Sequence, residues 1–287
     1  MEVTSSIAEV RRKVAMARIK GLTIGLVPTM GALHQGHAAL IDAARARCGY
    51  VVVSIFVNPL QFGPQEDLKR YPRRPAEDEA LCREHGVDLI FAPSDEEMYP
   101  DRQLTIVEVL ELTRGLCGAS RPGHFRGVTT VVSKLFNIVQ PDVAFFGQKD
   151  AQQAAVIRRM VADLNFPLEI AVVPTVREAD GLALSSRNVY LSPEERKAAV
   201  VLYRALTKAK EMVEKGERSA AAVRRRLLET IAAEPLAELD YAEVVDYDTL
   251  EPVDFIDGKI LLALAVKIGR TRLIDNFVVE VRDELRK

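Results

Sequence analysis

The sequence lacks what a nucleic-acid, membrane or disulfide-built protein needs. Lys and Arg number 39 against 41 Asp and Glu, a formal net charge of −2. No overall basic field is left for a nucleic-acid polymer, although a local basic patch is allowed. Its apolar runs are too short to span a bilayer as helices. The N-terminal segment has neither an apolar h-region nor a small-residue cleavage site, so no secretory signal is expected. Only three cysteines occur, Cys48, Cys82 and Cys117, far apart and outside any CxxC or Cys–His cluster. They read as reduced, buried thiols in a cytoplasmic protein. Internal repeats and low-complexity tracts are missing as well.

What is present is a chain of 287 residues, 48% hydrophobic, enough for one large domain or two modest ones. Apolar runs alternate with helical patterns: LTIGLV (22–27) before 37–48, then YVVVSIFV (50–57). VDLIFAP (87–93) follows an acidic helical stretch from Pro75. VAFF (143–146) follows the amphipathic segment 127–139, and helix 149–163 leads to LEIAVVPTV (168–176). This alternation predicts a Rossmann-like parallel sheet covered on both faces, with ligands at the C-terminal ends of its strands.

The pattern changes after about residue 187. LSPEER (191–196) is a helix start, with Ser192 as N-cap, Pro193 at the first helical position and Glu195 completing a capping box. Helical stretches over 193–215 and 218–234 precede three strand-like runs, 241–246, 259–268 and 271–281. Helices followed by strands predict a smaller α+β domain. The expected division is 1–180 for a nucleotide-binding catalytic domain and 181–287 for a C-terminal lid.

Four strands of the first half end in polar or special residues, which would gather on one rim of the sheet. The first ends in PTMGALHQGH (28–37). Gly31 and Gly36 allow tight turning, and the following helix begins near Gly36, with His37 in its first turn. Unpaired N–H groups and the positive end of the helix dipole favour an anion there. The same dipole lowers a histidine's pKa, so His34 and His37 are expected to be neutral donors to phosphate oxygens. A zinc pair and a simple turn cap are the rival readings.

The other strand ends are NPLQFG (58–63), GQKD (147–150) and DGLALSSRN (180–188). Lys149 can reach a phosphate as a flexible point charge, or be a solvated surface lysine. LSSRN (184–188) offers hydroxyls, N–H groups and a guanidinium, which suit a triphosphate but also an ordinary loop. SRPGHFRG (120–127) is either a mobile basic loop or a solvated turn. Gln61 and Gln153 could bind a carboxylate without neutralising it, leaving it nucleophilic; a surface position is the alternative. The acids of EDLKRYPRRPAEDE (66–79) could touch a metal, or belong to a solvated loop and helix start. Composition and spacing by themselves reach an α/β phosphate-handling, nucleotide-dependent protein.

Together PTMGALHQGH, FVNPLQFG, RPGHFRGV, FFGQKDAQQ and DGLALSSRN resemble the pantoate–β-alanine ligase family, in order and over nearly the whole chain. The HxGH element alone is less specific, being shared with nucleotidyltransferases and class I aminoacyl-tRNA synthetases. Gln148 stands where the family often has Glu, and Leu184 where some members have Met.

The resemblance implies that ATP, pantoate and β-alanine give pantothenate, AMP and pyrophosphate through an enzyme-bound pantoyl adenylate. Mg²⁺ would accompany ATP. The implied ATP site comprises Met30, Gly31, Ala32, Leu33, His34, Gln35, Gly36 and His37, with Gly147, Gln148, Lys149 and Asp150. Val176, Leu184, Ser185, Ser186 and Arg187 complete it. His37 is implied as proton donor, with His34 and Lys149 beside it in the catalytic set. Gln61, Gln153 and Asn58 are implied for pantoate, and Gln61 also for β-alanine. A cytoplasmic homodimer with a covering C-terminal domain is implied, with no nucleic-acid or membrane partner.

The remaining alternatives are a cytidylyl- or adenylyltransferase using the same turn on another acceptor, a synthetase fragment, and a non-catalytic nucleotide-binding regulator. A synthetase fragment should carry a basic tRNA-binding extension, which is not seen. A regulator would not need both histidines, Lys149 and both glutamines.

Overall fold

The computed structural model describes residues 1–64 and 66–281. It divides into two compact units. Of the described residues, the first comprises those in 1–110, 121–148 and 153–176; the second takes 111–120, 149–152 and 177–281.

The first unit holds six strands: β1 (Glu2–Thr4), β2 (Ile24–Thr29), β3 (Tyr50–Ile55), β4 (Leu89–Phe91), β5 (Val143–Gly147) and β6 (Glu169–Val173). All pair in parallel, in the order β1-β4-β3-β2-β5-β6. The expected Rossmann-like sheet is therefore present. Side chains alternate between two cores, as a sheet covered on both faces requires. Leu26, Val52, Phe91 and Phe146 pack to one side with Val10 and Phe136. Val27, Val53, Ile90 and Phe145 pack to the other with Ile41 and Cys82. β1 had no signal in the sequence; three residues carry no periodicity, and pairing with β4 makes them a strand.

The order reverses between β2 and β5. From β2 the chain builds outward through β3 and β4, then returns to lay β5 on the other side of β2. A crevice opens at such a switch point beyond the C-terminal ends of the strands.

The second unit contains the antiparallel sheet β7 (Ala237–Asp246), β8 (Gly258–Ile268) and β9 (Thr271–Val281). Leu202, Leu206, Val223 and Leu227, from the helices Val201–Glu214 and Ala220–Ala232, pack against Leu262 and Leu264 of β8. The expected α+β unit is present. The stretch predicted as one helix over 193–215 is two, Pro193–Ala198 and Val201–Glu214. The capping box of Ser192 and Glu195 forms as its spacing predicts. Cys48, Cys82 and Cys117 are all buried free thiols.

Candidate active site

The histidine turn sits directly beyond β2. The helix Gln35–Arg47 starts there, with His34 as its N-cap. An N-cap is usually a short hydroxyl, carboxylate or amide side chain; here it is an imidazole. His34 Nδ1 accepts the Gly36 N–H at 3.1 Å, and His37 Nδ1 accepts the His34 N–H at 3.2 Å. The two rings lie 4.2 Å apart, centroid to centroid. A ring nitrogen that accepts a hydrogen bond carries no proton. Both neutral rings therefore hold their proton on Nε2, which makes Nε2–H a donor in each.

The loop before the helix is conformationally demanding. Gly31 has φ +81° and Ala32 φ +50°, two successive left-handed residues, the second with a Cβ. Asp78 holds them in place. Its Oδ2 accepts the Ala32 N–H at 3.0 Å and its Oδ1 the Leu33 N–H at 2.7 Å. Asp78 is 2% exposed. Burial raises its pKa, with the Leu33 and Ala32 N–H groups opposing that rise. A Cβ on Gly31 would stand 3.0 Å from both Asp78 Oδ2 and Ile55 Cγ2, so the loop packs tightly on this carboxylate. The acids of 66–79 read as metal contacts or as a solvated loop and helix start; Asp78, on that helix start, is instead buried with both oxygens on backbone N–H groups. The available signal was helical spacing: in Pro75–Glu84, Asp78 is four residues from the fully buried Cys82 and shares its inward face.

Two buried amide side chains follow β3. Asn58 is 1% exposed and Gln61 8%. Asn58 Nδ2 donates to Gln61 Oε1 at 3.2 Å and to the Gly127 carbonyl at 3.1 Å. Asn58 Oδ1 accepts Tyr99 Oη–H at 2.8 Å and the Leu60 N–H at 3.3 Å. Two donors and two acceptors exhaust an amide, so Asn58 fixes Gln61. Burial pushes the Tyr99 phenol pKa well up, which keeps it a donor. Gln61 Nε2 donates to the Met30 thioether at 2.9 Å. Sulfur is a weak acceptor, so a carboxylate oxygen would displace it readily.

The backbone of Gln61 is clamped from the RPGHF segment. Its carbonyl accepts from His124 Nδ1 at 2.8 Å and Arg121 Nη2 at 3.3 Å. Arg121 also forms a two-toothed pair with Glu66, at 2.7 and 2.6 Å, and reaches His124 Nε2 at 3.0 Å. Burial raises the Glu66 pKa, but the Arg121 hydrogen bonds and charge outweigh it and hold the carboxyl below its ordinary range. Pro122 and Gly123 form an exposed turn, as one of the two sequence readings has it, and Arg121 and His124 on either side of it brace the Gln61 backbone. Gly127 completes it: a Cβ there would lie 2.2 Å from the Leu60 carbonyl oxygen and 2.7 Å from Gln61 Cα. Only glycine lets the helix His124–Val139 come so near.

Gly147 ends β5, and Gln148 begins the turn Gln148–Asp150. Val176 is half-buried after β6, Gln35 is exposed, and Gln153 is half-buried on the helix Ala151–Asp163.

Lys149, Asp150 and Leu184–Arg187 belong to the second unit. Lys149 Nζ stands 3.6 Å from Asp150 Oδ1, and its peptide carbonyl accepts Asn276 Nδ2 at 2.9 Å. Ser185 Oγ accepts the Arg187 N–H at 3.2 Å and caps the short turn Ser186–Tyr190. Asn188 anchors this loop through the Ala183 carbonyl at 3.1 Å. Among the described residues no group of three or more His, Cys, Asp or Glu side chains stands together as a metal centre.

A six-stranded parallel sheet whose switch point carries a histidine-capped helix start, with a braced pair of buried amides after β3, places the chain in the class of Rossmann-like α/β proteins. The family model for pantoate-beta-alanine ligase matches residues 2–278. The chain is 61% identical over 283 residues to the pantothenate synthetase of Moorella thermoacetica, covering 99% of this chain and 100% of that one. It is 62% identical over 279 residues to that of Pelotomaculum thermopropionicum, covering 97% and 99%. A pantothenate synthetase structure from Thermus thermophilus matches with a TM-score of 0.92 at 51% identity, over 96% of this chain and 99% of that one. The pantoate-beta-alanine ligase from Francisella tularensis, complexed with beta-gamma ATP and beta-alanine, matches with a TM-score of 0.79 at 35% identity, over 97% of both chains. The chain belongs to the pantoate–β-alanine ligase family, enzymes that condense pantoate with β-alanine using ATP.

Proposed function

We propose that this chain forms pantothenate in two steps, with the roles of its residues as follows. A carboxylate is a poor acyl donor because its leaving group would be oxide. In the first step a pantoate carboxylate oxygen attacks the α-phosphorus of ATP. A P–O bond forms, the α–β bridge bond breaks, and pyrophosphate leaves with the extra negative charge. His34 and His37 donate from Nε2–H to the phosphate oxygens, and Lys149 and Ser185–Arg187 supply charge and further donors. Gln61, held by Asn58, exchanges its Met30 contact for the pantoate carboxylate, and Gln153 takes a second polar group of pantoate. In the second step the neutral amine of β-alanine attacks the mixed-anhydride carbonyl: a C–N bond forms, the acyl C–O bond to AMP breaks, AMP leaves, and the nitrogen's surplus proton passes to solvent.

The observation that carries this reading is the pair of imidazoles with Nδ1 committed to backbone N–H groups. Both rings are thereby fixed as Nε2–H donors at a helix N-terminus beyond β2, where an anion is favoured. Residues Met30 to Leu33 shape the turn, and Gln148, Asp150, Val176 and Leu184 line the nucleotide in this assignment.

Mg²⁺ accompanying the triphosphate substrate would supply positive charge to the departing pyrophosphate. The described residues form no carboxylate cage for it, and Asp78 already has both oxygens on N–H groups. The ion would be held through the substrate phosphates and water.

Residues 1–180 are assigned as the nucleotide-binding catalytic domain and 181–287 as its lid. Cytoplasmic location is part of the proposal; no described helix is long and apolar enough to cross a membrane. A homodimer is also proposed. In its support, Leu104, Ile106 and Leu110 are 84%, 51% and 69% exposed along the irregular segment before the second unit's first residues.

Pantoate labelled with ¹⁸O in its carboxylate tests the chemistry. Adenylation transfers one labelled oxygen to AMP for every pantothenate formed. Unlabelled AMP would overturn the proposed intermediate.

A further inference from the structure

Lys149 and Ser185–Arg187 are given phosphate-facing roles above, and the second unit holds both through one strand. Asp275 and Asn276 are adjacent on β9, and they are 3% and 5% exposed. Neighbouring residues on a strand face opposite ways, and two adjacent polar side chains buried together in mid-strand, between Ile274 and Phe277, need partners. Asn276 Nδ2 donates to the Lys149 carbonyl at 2.9 Å. Asp275 takes a two-toothed pair from Arg177, at 2.6 and 2.8 Å.

Arg177 is the root of a tight hairpin. It bridges to Ala183 across the turn, and its Nη1 donates to the Gly181 carbonyl at 3.0 Å. Its guanidinium lies 5.1 Å from the Tyr203 ring centroid and 4.9 Å from that of Phe277. An arginine gripped by a carboxylate, a carbonyl and two rings has little freedom. The hairpin runs directly into Leu184–Arg187. One dipeptide therefore fixes the peptide of Lys149 by one side chain and the base of the 184–187 loop by the other.

We propose that Asp275 and Asn276 are positioning residues for adenylate formation, registering Lys149 against the Ser185–Arg187 loop as one phosphate-gripping body. The inference rests on the phosphate roles proposed above. Neither residue touches the reacting atoms in this account. Asn276 acts through Lys149, and Asp275 acts through Arg177. Misplacing a charged group by about an ångström costs on the order of a hundredfold in rate, so the hydrogen bond to a main-chain carbonyl matters for chemistry as well as for folding.

The test is a double-mutant cycle between Asn276→Asp and Lys149→Ala, read by pyrophosphate release in a single turnover without β-alanine. Asn276→Asp keeps the shape but sets a carboxylate oxygen against the Lys149 carbonyl. Its burst should slow by roughly tenfold to a hundredfold, with KM for ATP raised. KM for pantoate, and the rate at which supplied pantoyl adenylate reacts with β-alanine, should stay within about twofold of wild type. In the Lys149→Ala background Asn276→Asp should have almost no further effect, because the two act as a unit. Additive losses in the cycle would overturn the proposal, as would an unchanged burst in Asn276→Asp. Asn276→Ala, which deletes the donor without adding charge, runs the same cycle if the aspartate variant does not fold. Absence of a burst in wild-type enzyme would instead strike the phosphate-site reading itself.

Discussion

Asp78 and Leu33 are 45 residues apart in sequence, and the Asp78 carboxylate accepts the Leu33 N–H at 2.7 Å. With the companion bond to Ala32, this contact fixes the two left-handed residues that lead into the histidine turn. Asp78→Asn turns one acceptor oxygen into an N–H donor facing another N–H. Leaving a buried donor unpaired costs about 1–3 kcal/mol. The expected outcome is that loss in urea unfolding, together with a slower pyrophosphate burst. Wild-type stability in this variant would show that the carboxylate is not needed to hold the loop.

His37→Ala removes an Nε2–H donor and the acceptor for the His34 N–H. The cap contributes only about 1 kcal/mol to stability. A transition-state donor is worth more, about 3 kcal/mol or a hundredfold in rate. Rapid-quench measurement should therefore show adenylate formation reduced by about a hundredfold or more in a folded protein. A near-normal burst would remove His37 from the mechanism.

Much of this was legible in the sequence because the signals are local. β-branched runs gave β3, and Pro75 and Ser192 marked helix starts that formed as read. A helix start at the histidine turn followed from two glycines and two histidines in ten residues, whereas capping by the histidines stood there only as a rival reading, and His34 does cap the helix. What was not legible depends on distant pairing. Asp78 looks like any acid in an acidic helix until its carboxylate is seen on Leu33. Arg121 reads as part of a mobile basic loop or a solvated turn until Glu66 and the Gln61 carbonyl are found beside it. Lys149 follows β5 in sequence yet groups with the second unit, where Asn276 takes its carbonyl.

Gly127→Ala tests the brace behind Gln61. The new methyl would meet the Leu60 carbonyl oxygen at 2.2 Å, so the Leu60–Gln61 backbone must move. Overpacking of this kind costs about 1–3 kcal/mol. KM for pantoate should rise several times more than KM for ATP, alongside a lower melting temperature. Equal changes in both constants would argue that Gln61 does not discriminate pantoate.

The pair of Glu66 with Arg121 makes the same brace sensitive to acid. Burial raises the Glu66 pKa, but Arg121 lowers it further, so the folded value lies below the unfolded one. The folded state thus favours the ionised form, and its contribution is present above the ordinary glutamate range. It is lost as pH falls through the lower folded value. The stability advantage of wild type over Glu66→Gln should be constant near neutrality and shrink on acidification below that range. An advantage that grows on acidification would reverse the assigned sign.

The central claim is that acyl activation precedes amide formation on the histidine turn. Its most direct test uses enzyme at substrate concentration with ATP, Mg²⁺ and pantoate, and no β-alanine. The account predicts a burst of pyrophosphate near one per active site, followed by AMP and pantothenate when β-alanine is added. Pyrophosphate appearing only after β-alanine is present would contradict a two-step reaction.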